Sequence, residues 1–291
     1  MIKRFGFTPI LGWSLSRYDK FCSCKRRYYY DYYAKYDRDY PGEQIEKLKK
    51  LTSIPLEIGN IVHQVITVLL ERLLKSEEVV NVTRFLDFTK RKTEEHCRSK
   101  TFMEVYYNEV SDINTAELFN KIQNALKNFL NSERYNWLTT KALFNKTNWI
   151  IEPPGYGEAR LSGMKIYCKV DFLFPVDDVI FIFDWKTGKR NEVKHKKQLL
   201  GYTSWASFHL GKDPVKIFPT IAYLRPSYEE VQMKFNEYDV QDFAGQIKEE
   251  TEEMYSMCSN TEENIPKDKR EFTKTTNIKI CNYCNYRELC R

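Results

Sequence analysis

The sequence predicts an α/β protein in which a mixed β-sheet is flanked by helices. Apolar residues recur at helical spacing through residues 56–75. Short apolar runs bounded by turn residues then follow between residues 149 and 184. A second helical pattern at 192–209 precedes another strand pattern at 217–224. Helices and strands therefore alternate in the second half of the chain, which favours a sheet covered by helices.

The N-terminal part is predicted to be helical. Ser14 can cap a helix that continues to about residue 36 and carries several tyrosines. A second helix is expected over residues 56–75, where Ile58, Ile61 and Val62 begin the apolar stripe.

Residues 82–138 are predicted to form further helices, and Asn114 is a candidate cap. No change of composition separates this stretch from its surroundings. We therefore expect residues 76–145 to be a helical insertion within a single domain of residues 1–291.

The strands are expected at residues 149–152, 165–174 and 179–184, with turns at 153–155 and 177–178. After the helix at 192–209 and the strand at 217–224, a further strand is expected at 231–235. Asp239 is predicted to cap a last helix that ends near residue 257. The cysteine-rich segment 272–291 is predicted to be loop-like and to close onto the N-terminal helix.

The composition indicates a soluble globular protein. Of the 291 residues, 42% are hydrophobic and 30% are charged, and no continuous run approaches the roughly 20 apolar residues of a membrane span. The first residues are not followed by a long apolar segment, so we expect no secretory signal and a cytoplasmic location. The net charge of +6 only weakly suggests a polyanionic partner.

Two acids and a lysine form the first candidate site. Asp171 lies near the end of one predicted strand stretch, and Asp184 and Lys186 end the next. Residues two apart on a strand point to the same side, so Asp184 and Lys186 share a face that Asp171 can reach. Two carboxylates and an ammonium suit a divalent metal and a water that attacks a phosphodiester.

Two helical pairs could complete this site. His63 follows Gly59 on the second helix and is either a buried core histidine or a third metal ligand. Gln198 and Tyr202 lie four residues apart and share a helix face. They either contact the substrate or belong to a solvated stripe.

Basic and aromatic residues indicate possible nucleic-acid contacts. Lysine and arginine dominate residues 186–197, beside the proposed site. A second basic cluster, Lys25–Arg27, adjoins the tyrosine-rich helix. Aromatic rings among cations can stack on single-stranded bases, although a tyrosine stripe at helical spacing also fits a core.

The chain has eight cysteines, and three of them lie in its last eleven residues. Cys281, Cys284 and Cys290 have the spacing C-x2-C-x5-C, which indicates a metal or cluster site. Cys24 is the best candidate for a fourth ligand, and Cys22 is the alternative. Four thiolates fit a 4Fe–4S cluster or a structural zinc ion. The other cysteines are expected to have no ligand role.

The order of these motifs is more specific than any one of them. Along the chain the motifs and their residues are Gly-x-x-x-His (Gly59, His63), Asp (Asp171), Asp-x-Lys (Asp184, Lys186), Gln-x-x-x-Tyr (Gln198, Tyr202) and C-x2-C-x5-C (Cys281, Cys284, Cys290). This order resembles the RecB-type branch of the PD-(D/E)XK nuclease superfamily. Within that branch the chain is similar to the iron–sulfur subgroup, which includes AddB-type nuclease domains and the exonuclease of CRISPR spacer acquisition.

The resemblance implies a restriction-endonuclease-like core with a C-terminal iron–sulfur clamp. It implies ligands for Mg²⁺ or Mn²⁺, namely His63, Asp171, Asp184 and the backbone carbonyl of Trp185. Lys186 would position the attacking water, and Gln198 and Tyr202 would contact DNA or support the site. It also implies ligands for the 4Fe–4S cluster: Cys24, Cys281, Cys284 and Cys290.

The function hypothesis is a metal-dependent deoxyribonuclease, acting as an exonuclease on single-stranded DNA ends in repair, recombination or DNA processing. The alternative is a catalytically silent DNA-binding or assembly subunit of a helicase–nuclease complex. A zinc-stabilised interaction protein is a further rival. No helicase motif is visible in the sequence, so a helicase or other DNA-processing protein is a possible partner, and no membrane partner is expected.

Overall fold

The computed structural model describes residues 2–76, 78–153 and 157–290, and it divides into two compact units. Unit 1 is formed mainly by Thr52–Gly157 and Lys169–Val240, and unit 2 by Lys3–Leu51, Glu158–Cys168 and Gln241–Arg291. The helices are α1 (Leu15–Ser23), α2 (Lys25–Tyr33), α3 (Gly42–Lys49), α4 (Ile54–Lys75), α5 (Val82–Ser99), α6 (Met103–Tyr106), α7 (Thr115–Leu130), α8 (Glu133–Thr140), α9 (Glu192–Leu210), α10 (Glu237–Tyr255) and α11 (Ile278–Asn282). The strands are β1 (Ile150–Ile151), β2 (Glu158–Leu161), β3 (Met164–Tyr167), β4 (Phe172–Val176), β5 (Val179–Lys186), β6 (Ile217–Tyr223), β7 (Glu229–Gln232), β8 (Cys258–Asn260) and β9 (Ile265–Pro266).

The central sheet of unit 1 has the order β1-β4-β5-β6-β7. Strands β4 and β5 form an antiparallel hairpin, whereas β5 and β6 are parallel and are joined through α9. Parallel neighbours need such a crossover because the chain must return to the same end of the sheet. The sheet is therefore mixed, and the predicted α/β class with a mixed sheet is confirmed.

The core of unit 1 is built on α4. Its buried residues include Ile61, Val62 and Val65, as the helical spacing predicts. The helices between residues 82 and 140 share this core, and the ring of Phe129 on α7 lies 5.0 Å from that of Trp185 on β5. The predicted helical insertion thus packs on the sheet through its own apolar residues.

By length and composition alone, α4 is the one helix in the described part of the chain that could cross a membrane. Continuous apolar runs in the sequence do not reveal this, because Glu57, Asn60 and His63 interrupt them. Its apolar residues lie in the core of unit 1, and a buried core helix can have the same apolar composition as a membrane span.

Unit 2 gathers the N-terminal helices with the C-terminal segment. Four tyrosines of α2 are buried, so most of the tyrosine stripe is core. The ring of Tyr29 lies 5.0 Å from that of Phe272, and Tyr286 donates a hydrogen bond of 2.7 Å to Asp31. The C-terminal segment therefore lies against α2 within this unit, and it contains the short helix α11 in addition to loops.

Three predicted boundaries are wrong. The single helix expected from Ser14 to residue 36 is broken at Cys24, whose extended backbone ends α1 and begins α2. The single strand expected over 165–174 is two strands, because β3 pairs with β2 while β4 pairs with β1 and β5. The helix expected to be capped by Asp239 is α10, which begins at Glu237. The backbone N–H of Asp239 donates a hydrogen bond to the Asn236 side chain.

Other boundaries need smaller adjustments. The strand expected at 231–235 is β7, which lies slightly earlier in the chain. The turn expected at 177–178 is present between β4 and β5. Most of the turn expected at 153–155 lies outside the described residues. Whether residues 1–291 act as one domain stays a prediction.

Candidate active site

Asp171 immediately precedes β4 and is held by the backbone of the neighbouring strand. Its Oδ2 accepts a hydrogen bond of 3.1 Å from the amide N–H of Trp185 on β5. The indole of Trp185 is buried, stacked against Phe183 and packed on Phe129. Because the ring is fixed in the core, the peptide unit that carries this N–H is fixed as well.

His63 connects α4 to the same point. Its Nε2 lies 2.7 Å from the carbonyl oxygen of Trp185, and its Nδ1 lies 3.1 Å from Oδ2 of Asp171. Both oxygens are acceptors, so the two ring nitrogens donate to them when the imidazole carries both protons, a form that the nearby acids favour by raising the pKa of His63. His63 is therefore part of the polar site and is not a core histidine.

Asp184 is buried on β5 and is bound from two sides. Its Oδ1 accepts hydrogen bonds of 2.5 Å from the hydroxyl of Tyr202 and 3.0 Å from the amide of Gln198. Its Oδ2 forms an ion pair with Lys186, two residues further along the strand. The Gln198 amide also donates to the Tyr202 hydroxyl at 2.6 Å. Gln198 and Tyr202 thus hold Asp184, and they are not part of a solvated stripe.

Burial and charge shift the pKa values of these groups in opposite directions. Burial disfavours the charge of Asp171, but His63, Lys186 and the Trp185 amide together outweigh it, so the pKa of Asp171 is lowered. Burial raises the pKa of Asp184, and the negative charge of Asp171 adds to this against the attraction of Lys186. Burial alone would lower the pKa of Lys186 and the pKa of His63. The negative charges of the two acids outweigh this effect, so both pKa values are raised.

The centre opens into a groove of about 960 Å³ in unit 1. Its lining begins with His63, Asp171 and Lys186 and continues along the outer face of α4 to the C-terminal end of α5. Glu152 also faces this groove and forms an ion pair with Lys169 at 2.9 Å. Asp171 and Lys186 are accordingly accessible to a ligand in the groove.

The donor set fits a hard divalent cation in its chemistry. Asp171, Asp184 and the Trp185 carbonyl supply oxygens, and His63 supplies a nitrogen, all around the backbone of Trp185. Across residues 2–76, 78–153 and 157–290, however, no group of three or more His, Cys, Asp or Glu side chains is already arranged around a metal position. In this structure the positive charges of His63 and Lys186 balance the two acids. A divalent cation would take over that role once His63 lost its proton.

A family model of the PD-(D/E)XK nuclease superfamily matches residues 12–291. The chain belongs to this superfamily. That Asp171, Asp184 and Lys186 are the acid, acid and lysine of its motif stays a prediction. The protein is accordingly a nuclease by family, and its geometry brings these three side chains together.

Solved structures give weaker similarities. A protein from Eubacterium rectale, provisionally described as an exonuclease, has 13% identity and a TM-score of 0.43, over 82% of this chain and 77% of that chain. The protein SSO0001 has 15% identity and a TM-score of 0.31, over 72% of this chain and 96% of its own. At these scores neither comparison bears on function. A comparison of the nuclease with curated proteins finds no match.

The cysteine candidates of the nuclease lie together in unit 2. Cys24, Cys281, Cys284 and Cys290 all line one cavity of about 200 Å³. Burial raises the pKa of Cys284 to about 11 and also raises the pKa of Cys290. Cys22 is exposed and lies outside this cavity, close to Tyr18.

The choice between zinc and a cluster stays a prediction. In the described part of the chain, no group of three or more His, Cys, Asp or Glu side chains is arranged around a metal position. Arg27 and Lys274, which also line the cavity, would offset the negative charge of thiolates.

Several polar residues beside the catalytic centre are not apparent from the sequence motifs. Glu152 has a φ of 42°, a backbone conformation that is strained for a residue with a side chain. His195 on α9 is buried, and its Nδ1 contacts the hydroxyl of Tyr223. The strand register pairs Tyr223 with Lys186. The sequence signal for Glu152 is a charged residue directly after an apolar strand. That pattern is too common to indicate a site.

Stability should depend on pH through His195. Burial and then the positive charge of Lys186 lower its pKa from 6.5 to about 4. As the pH falls from 6.5 to 4, the unfolded chain gains a proton at His195 that the folded protein does not, so stability decreases. The full shift corresponds to about 3 kcal/mol, and solvent screening reduces the expected decrease to about 1–2 kcal/mol.

Urea unfolding between these pH values measures this contribution. His195→Gln should flatten the profile relative to wild type. Tyr223→Phe should keep it, because burial and nearby cations cause the shift rather than the Tyr223 hydroxyl. Identical pH profiles for wild type and His195→Gln would contradict this assignment.

Proposed function

We propose that this nuclease is a metal-dependent deoxyribonuclease that removes nucleotides from single-stranded DNA ends. The observation that carries the proposal is the meeting of Asp171, Asp184 and Lys186 at the head of an open groove. Placing the buried Asp184 and the largely buried Asp171 beside one lysine costs stability, since buried charges need close compensation. A catalytic role gives a reason to keep such an arrangement. The silent DNA-binding alternative gives these acids no purpose.

Each side chain has a separate task in phosphodiester hydrolysis. Asp171, Asp184, His63 and the Trp185 carbonyl would hold Mg²⁺ or Mn²⁺. The bound metal would supply charge stabilisation and acidify water. Lys186, with its raised pKa, remains an ammonium and orients the water while it offsets the charge that develops on the phosphate.

Gln198 and Tyr202 act on the chemistry through Asp184. Their two hydrogen bonds converge on Oδ1. This leaves Oδ2, which lies towards Lys186, as the oxygen directed at the reaction. They are positioning residues in this proposal, and direct DNA contact is not needed to explain them.

A single strand is the proposed substrate because of the surface beside the centre. Leu56 and Val68 on the outer face of α4 are 55% and 38% exposed and line the groove. Apolar side chains can pack against the faces of bases, which are available only when the bases are unpaired and unstacked. A helicase or another DNA-processing protein could supply such ends.

We also propose a 4Fe–4S cluster bound by Cys24, Cys281, Cys284 and Cys290, with zinc as the less favoured occupant. The shared cavity supports this ligand set, and the position of Cys22 outside the cavity disfavours it as a ligand. The cluster would stabilise unit 2 by joining α2 to the C-terminal segment. We propose a reducing cytoplasmic location, in which these thiols stay available as ligands.

Lys186→Ala should abolish metal-dependent cleavage, with a loss of at least about a hundredfold, because it removes the charge that orients the water. The measurement is degradation of end-labelled linear and circular single-stranded DNA with Mg²⁺ or Mn²⁺. Linear DNA should be degraded and circles left intact. The matched control Lys127→Ala changes an exposed lysine on α7 and should retain wild-type activity.

Two results would contradict the proposal. Equal cleavage by wild type and Lys186→Ala would remove the active-site assignment. Cleavage of circular DNA would show internal cutting and replace the exonuclease mode.

Metal binding should strengthen as the pH rises. The raised pKa of His63 means that the folded protein keeps the imidazole proton beyond the usual range, and a metal ligand must lose it. Calorimetric titration with Mn²⁺ should show affinity increasing about tenfold per pH unit while His63 is protonated. His63→Asn should bind more weakly, with a flatter dependence on pH. The same steep dependence in this variant would exclude His63 as the titrating ligand.

Cys24→Ser should lose the cluster, whereas Cys22→Ser should keep it. Both variants remove one thiol from the same short segment, and only Cys24 lines the cavity. Colour, iron and sulfide content after purification without oxygen measure the result. A colourless wild-type protein that contains stoichiometric zinc would replace the iron–sulfur proposal.

A further inference from the structure

A buried acid holds two side chains that line the groove between α4 and α5. Glu57 on α4 is 2% exposed and accepts three hydrogen bonds. Thr52 and Asn60 donate to its Oε1 at 2.6 and 2.9 Å, and Nδ1 of His96 donates to its Oε2 at 2.6 Å. One carboxylate therefore fixes the orientation of Asn60 and His96.

Both of these side chains face the groove that starts at the catalytic centre. Asn60 and His96 belong to its lining, together with Gln64, whose Oε1 lies 3.1 Å from Nε2 of His96. His96 comes from α5, so the helical insertion contributes directly to this surface. Amide and imidazole groups held in place at one position are a suitable surface for hydrogen bonds to a nucleobase edge.

The surroundings match a nucleotide better than a bare phosphate. The exposed Leu56 flanks these polar groups, and Lys100 lies at the end of α5. The groove also contains acids: Glu95 forms an ion pair with Lys92 at 2.7 Å, and Glu71 lies further along α4. The groove is thus not a simple basic channel, and recognition there depends on contacts with a base.

The spacing along α4 gives the distance to the reaction. Asn60 lies three residues before His63, which corresponds to about 4.5 Å of helix, and Gln64 follows His63 directly. At roughly 3.4 Å per stacked nucleotide, this distance spans about one nucleotide.

We propose that Asn60, Gln64 and His96 form a subsite for a nucleobase of the DNA strand about one nucleotide from the scissile phosphate, with Glu57 as a positioning residue. This inference rests on the proposed nuclease function and specifies where the strand lies. The strand follows the outer face of α4 from His63 towards the end of α5. Asn60 and Gln64 contact the base through Oδ1 and Nε2, and Glu57 and His96 act through them, because both ring nitrogens of His96 are bound by Glu57 and Gln64.

Cleavage kinetics test the subsite with oligonucleotides of graded length, labelled at either end. His96→Ala and Asn60→Ala should raise KM about tenfold on substrates that reach the subsite, with kcat nearly unchanged. On substrates cut short on one side, the difference from wild type should vanish. The matched control Asn120→Ala changes an exposed amide on α7 and should behave as wild type at every length.

The length dependence separates a subsite from a structural role. If His96→Ala lowers activity equally on short and long substrates, the residue supports the fold and the proposal is overturned. Glu57→Gln should reproduce the KM effect in weaker form, since an amide keeps the shape but loses the charge paired with His96. Thermal unfolding of each variant shows whether the protein is intact.

A second measurement makes failure of the subsite distinguishable from failure of the nuclease. Binding of fluorescent single-stranded DNA is followed by anisotropy in the Lys186→Ala background, which needs no turnover. Weaker DNA binding after His96→Ala is added supports the subsite even if wild type cleaves nothing. The absence of cleavage by wild type would overturn only the proposed activity. Unchanged binding alongside normal cleavage overturns the subsite alone. Preferential binding of blunt duplex over single strands overturns the proposed occupant.

Discussion

The peptide units on either side of Trp185 are the constraint on which the candidate active site depends. The N–H of Trp185 binds Asp171, its carbonyl accepts from His63, and His63 in turn contacts Asp171. These contacts join β4, β5 and α4, which come from distant parts of the sequence. The indole ring is buried against Phe129, so the core holds this backbone in place. The geometry of the candidate active site is thus fixed by the packing of the Trp185 ring in the core and by the polar contacts of the Trp185 backbone.

The charged groups at the centre are arranged in compensating pairs. Asp184 is buried with Lys186 and also receives two neutral hydrogen bonds, while Asp171 is paired with His63. Buried ions are tolerated when partners and hydrogen bonds replace lost water. Asp184 nevertheless has a raised pKa, which shows that the balance is incomplete. Incomplete balance of this kind is common at sites that bind an additional cation.

The sequence could predict the acid–acid–lysine centre because strand alternation alone places Asp184 and Lys186 on one face. It could also predict the buried face of α4 from apolar spacing. It could not separate β3 from β4, since both are apolar and only their pairing partners distinguish them. The break at Cys24 was equally hidden, because nothing in Ser23 or Lys25 forbids a continuous helix. His96 carried no signal either, since its partner Glu57 lies thirty-nine residues away.

Helix α4 supplies His63 to the candidate active site and Leu56 and Asn60 to the groove. The separation of these residues is therefore set by a continuous hydrogen-bonded helix and does not depend on loop conformation. Inserting one residue between them would rotate one set by about 100° relative to the other. Only insertions close to a whole number of turns would preserve both surfaces. Evolution could therefore lengthen the path of a bound DNA strand along α4 only in steps of about one helical turn.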